Sequence, residues 1–174
     1  YCVVPFTRGP LICRDHQEIL KEAKEAIRKG AKEIWLLGQN VNDYTSPRNS
    51  RIKFPQLLKL IEKIKGEFWI RFTSPHPQNF TQELIETIAK SSKITPYLNL
   101  PLQSGDDEIL KKMNRDYTAA DYQDLIKRIR QAFRKWRKGL EKDPTLSTDI
   151  IVGFPGEKKK NFNNTLKIFK KIKF

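Results

Sequence analysis

The chain has 174 residues, the length of one domain with room for a continuous core, and carries 34 Lys and Arg against 20 Asp and Glu, a net charge of +14. That excess favours polyanionic partners through phosphate neutralisation and says nothing about the fold. Two cysteines, Cys2 and Cys13, make no disulfide framework, and no apolar run reaches secretory or membrane-spanning length, so a stapled secreted domain and a membrane protein are excluded as starting points and a reducing cytoplasm is the default.

Strand and helix patterns alternate along the chain, which predicts a parallel α/β sheet or barrel. Residues 15–29 are expected to be helical, with Ile19, Leu20, Ala23, Ala26 and Ile27 on one face, Asp15 as cap and Gly30 as stop. A strand over 33–37 ends at Gly38-Gln39-Asn40, a polar loop covers 45–53, and a helix follows over 54–64. The next strand, 68–73, is closed by Ser74-Pro75-His76-Pro77, where two prolines forbid regular structure. Thr81 caps a helix carrying Leu84, Ile85 and Ile88, and a strand over 97–102 stops at Gln103-Ser104-Gly105. Helices over 106–113 and 119–136, a surface insertion over 137–145, a strand over 146–152 and a helix over 162–172 complete the pattern.

Parallel strands deliver their following loops to one face, so function is sought at the strand ends. Taken singly, these residues have ordinary readings. Gly38 suits a plain turn, His76 between prolines suits a turn although histidine also serves as base or metal ligand, and Arg115 suits the solvent side of a capped helix. A lone cysteine such as Cys2 is usually a small buried hydrophobe. The basic run from Lys127 to Lys138 carries Phe133 and Trp136 at helical spacing, which predicts that both pack inward rather than stack on bases.

In order along the chain, however, the strand ends form a set. Tyr1-Cys2-Val3-Val4-Pro5-Phe6-Thr7-Arg8-Gly9, Leu36-Leu37-Gly38-Gln39-Asn40-Val41-Asn42, Arg71-Phe72-Thr73-Ser74-Pro75-His76-Pro77, Leu100-Pro101-Leu102-Gln103-Ser104-Gly105 with Arg115, and Asp149 through Glu157 together resemble the MiaB-type radical S-adenosylmethionine (SAM) methylthiotransferases. Three cysteines spaced Cys-x3-Cys-x2-Cys hold a [4Fe–4S] cluster in that family, and the resemblance implies that Cys2 is the third. It also implies that Tyr1, Gly38, Gln39, Asn40, Gln103, Arg115 and Gly153 line the SAM site, with Thr73, Ser74 and Asp149 as further candidates. Gly38-Gln39-Asn40 would meet the methionine amino group, Gln103 the ribose hydroxyls and Arg115 the carboxylate, while residues 151–154 would pack beside adenine. An amide suits paired hydroxyls, and a guanidinium forks onto a carboxylate. Lys158-Lys159-Lys160 departs from the family, which places Thr and acidic residues after the glutamate. Cys13 fits no ligand spacing and is expected to be a free thiol.

The implied fold is a partial (β/α)6 TIM-like radical SAM barrel, truncated at both ends, filling residues 1–174. An N-terminal domain with an auxiliary [4Fe–4S] cluster and a C-terminal TRAM domain would lie outside the chain. The implied activity is methylthiolation of C2 of N6-isopentenyladenosine beside the tRNA anticodon. In the family, reductive SAM cleavage gives a 5′-deoxyadenosyl radical that abstracts hydrogen from an inert C–H. The implied partners are tRNA, with Arg8 as a contact, and a reducing electron donor, in a monomeric cytoplasmic protein. Sister enzymes acting on threonylcarbamoyl adenosine or a ribosomal protein share this chemistry, and a non-catalytic basic RNA-binding α/β module is the alternative of another class. One thiolate cannot carry a cluster, so the chain alone is expected to be inactive.

Overall fold

Apolar residues recur at helical spacing between short β-prone runs, and among the described residues this pattern gives seven α-helices, three short 3-10 turns and four short strands. The computed structural model describes residues 1–174, apart from the side chains of Pro5, Leu140 and Glu141. After α1 (Val4–Arg8), which the sequence did not announce, α2 (His16–Arg28) starts where the Asp15 carboxylate accepts from the Gln17 N–H at 2.8 Å. Then come β1 (Glu33–Leu36), α3 (Phe54–Glu62), β2 (Trp69–Phe72) and α4 (Gln82–Lys90), the last capped by Thr81 on the Leu84 N–H. β3 (Tyr97–Asn99), α5 (Asp107–Lys112), α6 (Ala119–Trp136), β4 (Thr145–Ser147) and α7 (Lys159–Ile172) follow.

All strand pairing is parallel between successive strand–helix units. β1 lies on β2 from Glu33↔Trp69 to Leu36↔Phe72, and β3 on β4 from Tyr97↔Thr145 to Asn99↔Ser147. A parallel bridge at Ile70↔Ile94 ties the two pairs, and no ladder joins β1 to β4 among the described residues. The parallel α/β order expected from alternation is therefore present as two linked pairs of strands, without closure.

The last two strands are shorter than 97–102 and 146–152 because side chains replace ladder bonds. The Thr148 hydroxyl donates to the Leu100 carbonyl and accepts from the Leu102 N–H, both at 2.8 Å. Gln103 then enters the left-handed region at φ 64°, yet still pairs through Gln103 N–H to Asp149 O and Ile151 N–H to Gln103 O.

The helices α2, α3, α4, α6 and α7 pack in succession. Their apolar stripes bury Phe54, Leu58, Ile61, Leu84, Ile85, Ile88, Tyr122 and Phe133 against Ile70, Ile94, Leu98 and Leu100. Two expectations for the basic run change. Phe133 packs inward, but Trp136 stays 45% exposed, with the Lys90 and Lys135 ammonium groups 4.4 and 5.1 Å from its ring centre. The segment 137–145 does not begin on the surface. Arg137 is buried and donates to the carbonyls of Ile88 and Ala89 in the last turn of α4 and of Ile94 just beyond it.

Candidate functional site at the strand ends

Arg115 is placed by the way α5 stops. Asn114 adopts φ 55°, its N–H donates to the Lys111 carbonyl, and the Arg115 N–H reaches back to Leu110, a Schellman ending that turns Arg115 away from the helix axis. Its guanidinium donates to the Tyr1 hydroxyl at 2.6 Å and lies 5.6 Å from the centre of that ring. The other side of Tyr1 meets Phe154 edge-on at 5.9 Å. The first residue of the chain, the loop after α5 and the turn after β4 thus meet at one place.

Gly153 (φ 77°) and Gly156 (φ 83°) let that turn fold back, and the Gly153 N–H donates to Glu157 Oε2 at 2.5 Å. Glu157 Oε1 is buried without a partner, the one such side-chain polar atom among the described residues. Gln103 and Asp149 are joined through the backbone of the same region. Behind Gln103 lies a buried polar network that sequence reasoning missed. The Gly105 N–H donates to Thr165 Oγ1, and Asp106 accepts from the side-chain amides of Asn161 and Asn164 at 2.8 and 2.7 Å. Asp106 also accepts from the Glu108 and Ile109 N–H groups, which cap α5. Burial raises its pKa, but these four hydrogen bonds outweigh it and leave the carboxyl below its ordinary value. The signal in the sequence was a capping Asp and two Asn at helical spacing, and nothing in it said that they meet.

The other wall is made by the loops after β1 and β2. The Asn42 side chain binds both main-chain groups of His76, accepting from its N–H at 2.7 Å and donating to its carbonyl at 2.9 Å. Asn79 reaches Asn40 at 3.4 Å, and the Thr73 N–H bonds the Leu36 carbonyl. Gly38 is constrained by its own chain, since a Cβ there would lie 3.3 Å from Val41 Cα. Ser74 is exposed at φ 55°, and Gln39 is exposed too. His76 does occupy a turn, and its ring packs edge-on against Tyr117 at 5.8 Å. Burial, then the nearby Arg115, lowers its pKa below 6.5, while Asp116 and Asp43 act the other way.

Cys2 is an exposed free thiol, which removes its reading as a buried hydrophobe, and Arg8 is exposed. Cys13 is also free. It lines a cavity of about 490 Å³ between residues 11–14, α2 and β1, which touches Gly38 and Asn40 and excludes Tyr1, Gln103 and Arg115.

A parallel strand–helix order whose strand-end loops gather a double-glycine turn and an aromatic–arginine contact, its tyrosine next in sequence to Cys2, agrees with a radical SAM domain. The chain belongs to the Radical SAM superfamily, which matches residues 1–169. Membership implies SAM and a [4Fe–4S] cluster. Among curated proteins, it is 45% identical over 174 residues to the tRNA-2-methylthio-N(6)-dimethylallyladenosine synthase of Clostridium novyi, covering 100% of this chain and 37% of that protein. Synthases of the same name from Lachnoclostridium phytofermentans (42%, covering 99% of this chain and 36% of the relative) and Fusobacterium nucleatum (44%, 100% and 38%) are similar in the same way. The chain thus spans little more than a third of these relatives. Among solved structures, the cobalamin-dependent SAM radical enzyme OxsB shares the fold at TM-score 0.65 and 11% identity, over 89% of this chain and 22% of that one.

The residues present fit SAM and cluster differently. The unpartnered Glu157 oxygen, the Arg115 guanidinium and the Gly153 turn offer an acceptor, a carboxylate fork and close backbone approach. A cluster needs several thiolates, and among the described residues no three His, Cys, Asp or Glu side chains gather as a metal site. The described residues by themselves therefore offer no cluster site.

Proposed function

We propose that the chain is the SAM-binding core of a methylthiotransferase that modifies C2 of N6-isopentenyladenosine next to the tRNA anticodon, on a partial (β/α)6 barrel. The observation that carries this reading is the meeting of Tyr1, Arg115 and the Gly153–Phe154 turn at one end of the parallel strands. The likeness to synthases of that name along the whole chain supports it.

In this reading Arg115 holds the methionine carboxylate, Gln103 the ribose hydroxyls and Gly38-Gln39-Asn40 the amino group. The turn from Gly153 to Phe154 lies against adenine, and Thr73, Ser74 and Asp149 complete the rim. Tyr1 keeps Arg115 extended before binding, which lowers the cost of ordering it. Cys2 supplies one thiolate, and the remaining ligands come from residues outside this chain, as would an auxiliary-cluster domain and a TRAM domain. Bound together, SAM and cluster supply the one-electron chemistry that functionalising an inert aromatic C–H requires. The net charge of +14 suits tRNA phosphates, with Arg8 close to the cluster loop, in a monomeric cytoplasmic enzyme fed by a reducing electron donor.

The test is anaerobic reconstitution of the full-length gene product, followed by assay of iron, 5′-deoxyadenosine release and the nucleosides of isopentenylated tRNA. Iron, release and a methylthiolated nucleoside are the expected results. Binding of RNA with no iron and no release would leave a non-catalytic RNA-binding module.

A further inference from the structure

His76 is held in a manner that a turn does not require. Both of its main-chain polar groups are taken by the Asn42 side chain, so the loop after β1 fixes the residue, and its ring lies edge-on to Tyr117, two positions beyond Arg115. Nδ1 accepts from the Gln78 N–H at 3.3 Å, capping the short turn Pro77–Asn79. An Nδ1 that accepts leaves the proton of a neutral imidazole on Nε2, which has no partner among the described residues. The charged groups whose fields act on the ring are Arg115, Asp116 and Asp43. Burial and Arg115 favour the neutral ring, so at neutral pH His76 presents one N–H with fixed direction and adds no charge to a site that already holds a guanidinium.

We propose that His76 donates its Nε2–H to the carboxylate that Arg115 holds, making the pair a two-sided clamp on the amino-acid end of the bound ligand. A guanidinium alone fixes a carboxylate in its own plane, and a second donor from another loop fixes the rotation that remains. The proposal rests on the reading of the site as a SAM site, and it assigns His76 a binding role in place of a purely structural one.

Two substitutions separate these roles. His76→Asn keeps an acceptor near the Nδ1 position and so keeps the cap, but removes the distal N–H. His76→Gln places an N–H near the Nε2 position and gives up the cap. Equilibrium dialysis of the reconstituted full-length protein with SAM and with decarboxylated SAM, alongside thermal melts, reads both. The expected result is roughly tenfold weaker SAM binding for His76→Asn at an unchanged melting temperature, no change with decarboxylated SAM, and SAM affinity within about threefold of the parent for His76→Gln. Unchanged SAM affinity for His76→Asn, or equal losses with both ligands, would overturn the clamp. If the parent protein binds neither ligand, the SAM reading itself falls, an outcome distinct from the other two.

Discussion

Gly105 shows how little room the site leaves. A Cβ there would lie 2.7 Å from Thr165 Cα, a backbone atom of α7 that cannot step aside. Gly105→Ala should therefore cost about 2–3 kcal/mol in urea unfolding, because overpacking against main chain moves a whole helix. A cost below about 0.5 kcal/mol would show that α7 does not seat there. Asp106 beside it fixes an acid dependence. Its folded-state pKa lies below its ordinary value, so its contribution is full above about pH 4 and is lost as pH falls through the folded pKa. The stability difference between parent and Asp106→Asn should be present at pH 7 and shrink below pH 4, measured by denaturation across that range. Gln103 and Arg115 were legible as strand-end and helix-end residues, since local chemistry places them. The partnership of Asp106 with Asn161 and Asn164 was not, because hydrogen bonds between distant segments leave no periodic trace in a sequence.

At the scale of elements, helices were readable because apolar spacing, caps and stops agree. Strand ends were less so, since Thr148 replaces ladder bonds with side-chain contacts and Gln103 turns left-handed while keeping its backbone pairing, neither of which pattern can express. The start of 137–145 misled for a similar reason. Arg137 reads as one more surface cation, yet it satisfies two carbonyls in the last turn of α4, where a cation also suits the helix dipole, and that of Ile94 beyond it. Arg137→Met should cost about 2–4 kcal/mol by leaving buried carbonyls unpaired, read by thermal or urea denaturation. A loss under about 0.5 kcal/mol would return the segment to the surface. At the start of α7, Lys158, Lys159 and Lys160 stand at the positive pole of the helix, with no acid in its first turn. Lys160→Glu is predicted to stabilise the fold by about 0.5 kcal/mol and to weaken tRNA binding at low salt, seen by melting and filter binding. Loss of stability without loss of RNA affinity would refute a role for these lysines in RNA contact.

For the whole molecule, two linked pairs of parallel strands bring their loops to one end, where Tyr1, Arg115, His76, Gln103 and the Gly153 turn come from five separate stretches of chain. The strand–helix alternation predicted that arrangement, and the charge of +14 gives it long-range attraction for a polyanion without specifying which. The claim on which the rest depends is that this end binds SAM through Arg115. Calorimetric titration of SAM into the reconstituted protein and its Arg115→Met variant tests it most directly. The account predicts saturable binding by the parent and at least tenfold weaker binding by a variant of unchanged melting temperature. Equal affinity in the two proteins, or no binding by the parent, would contradict it.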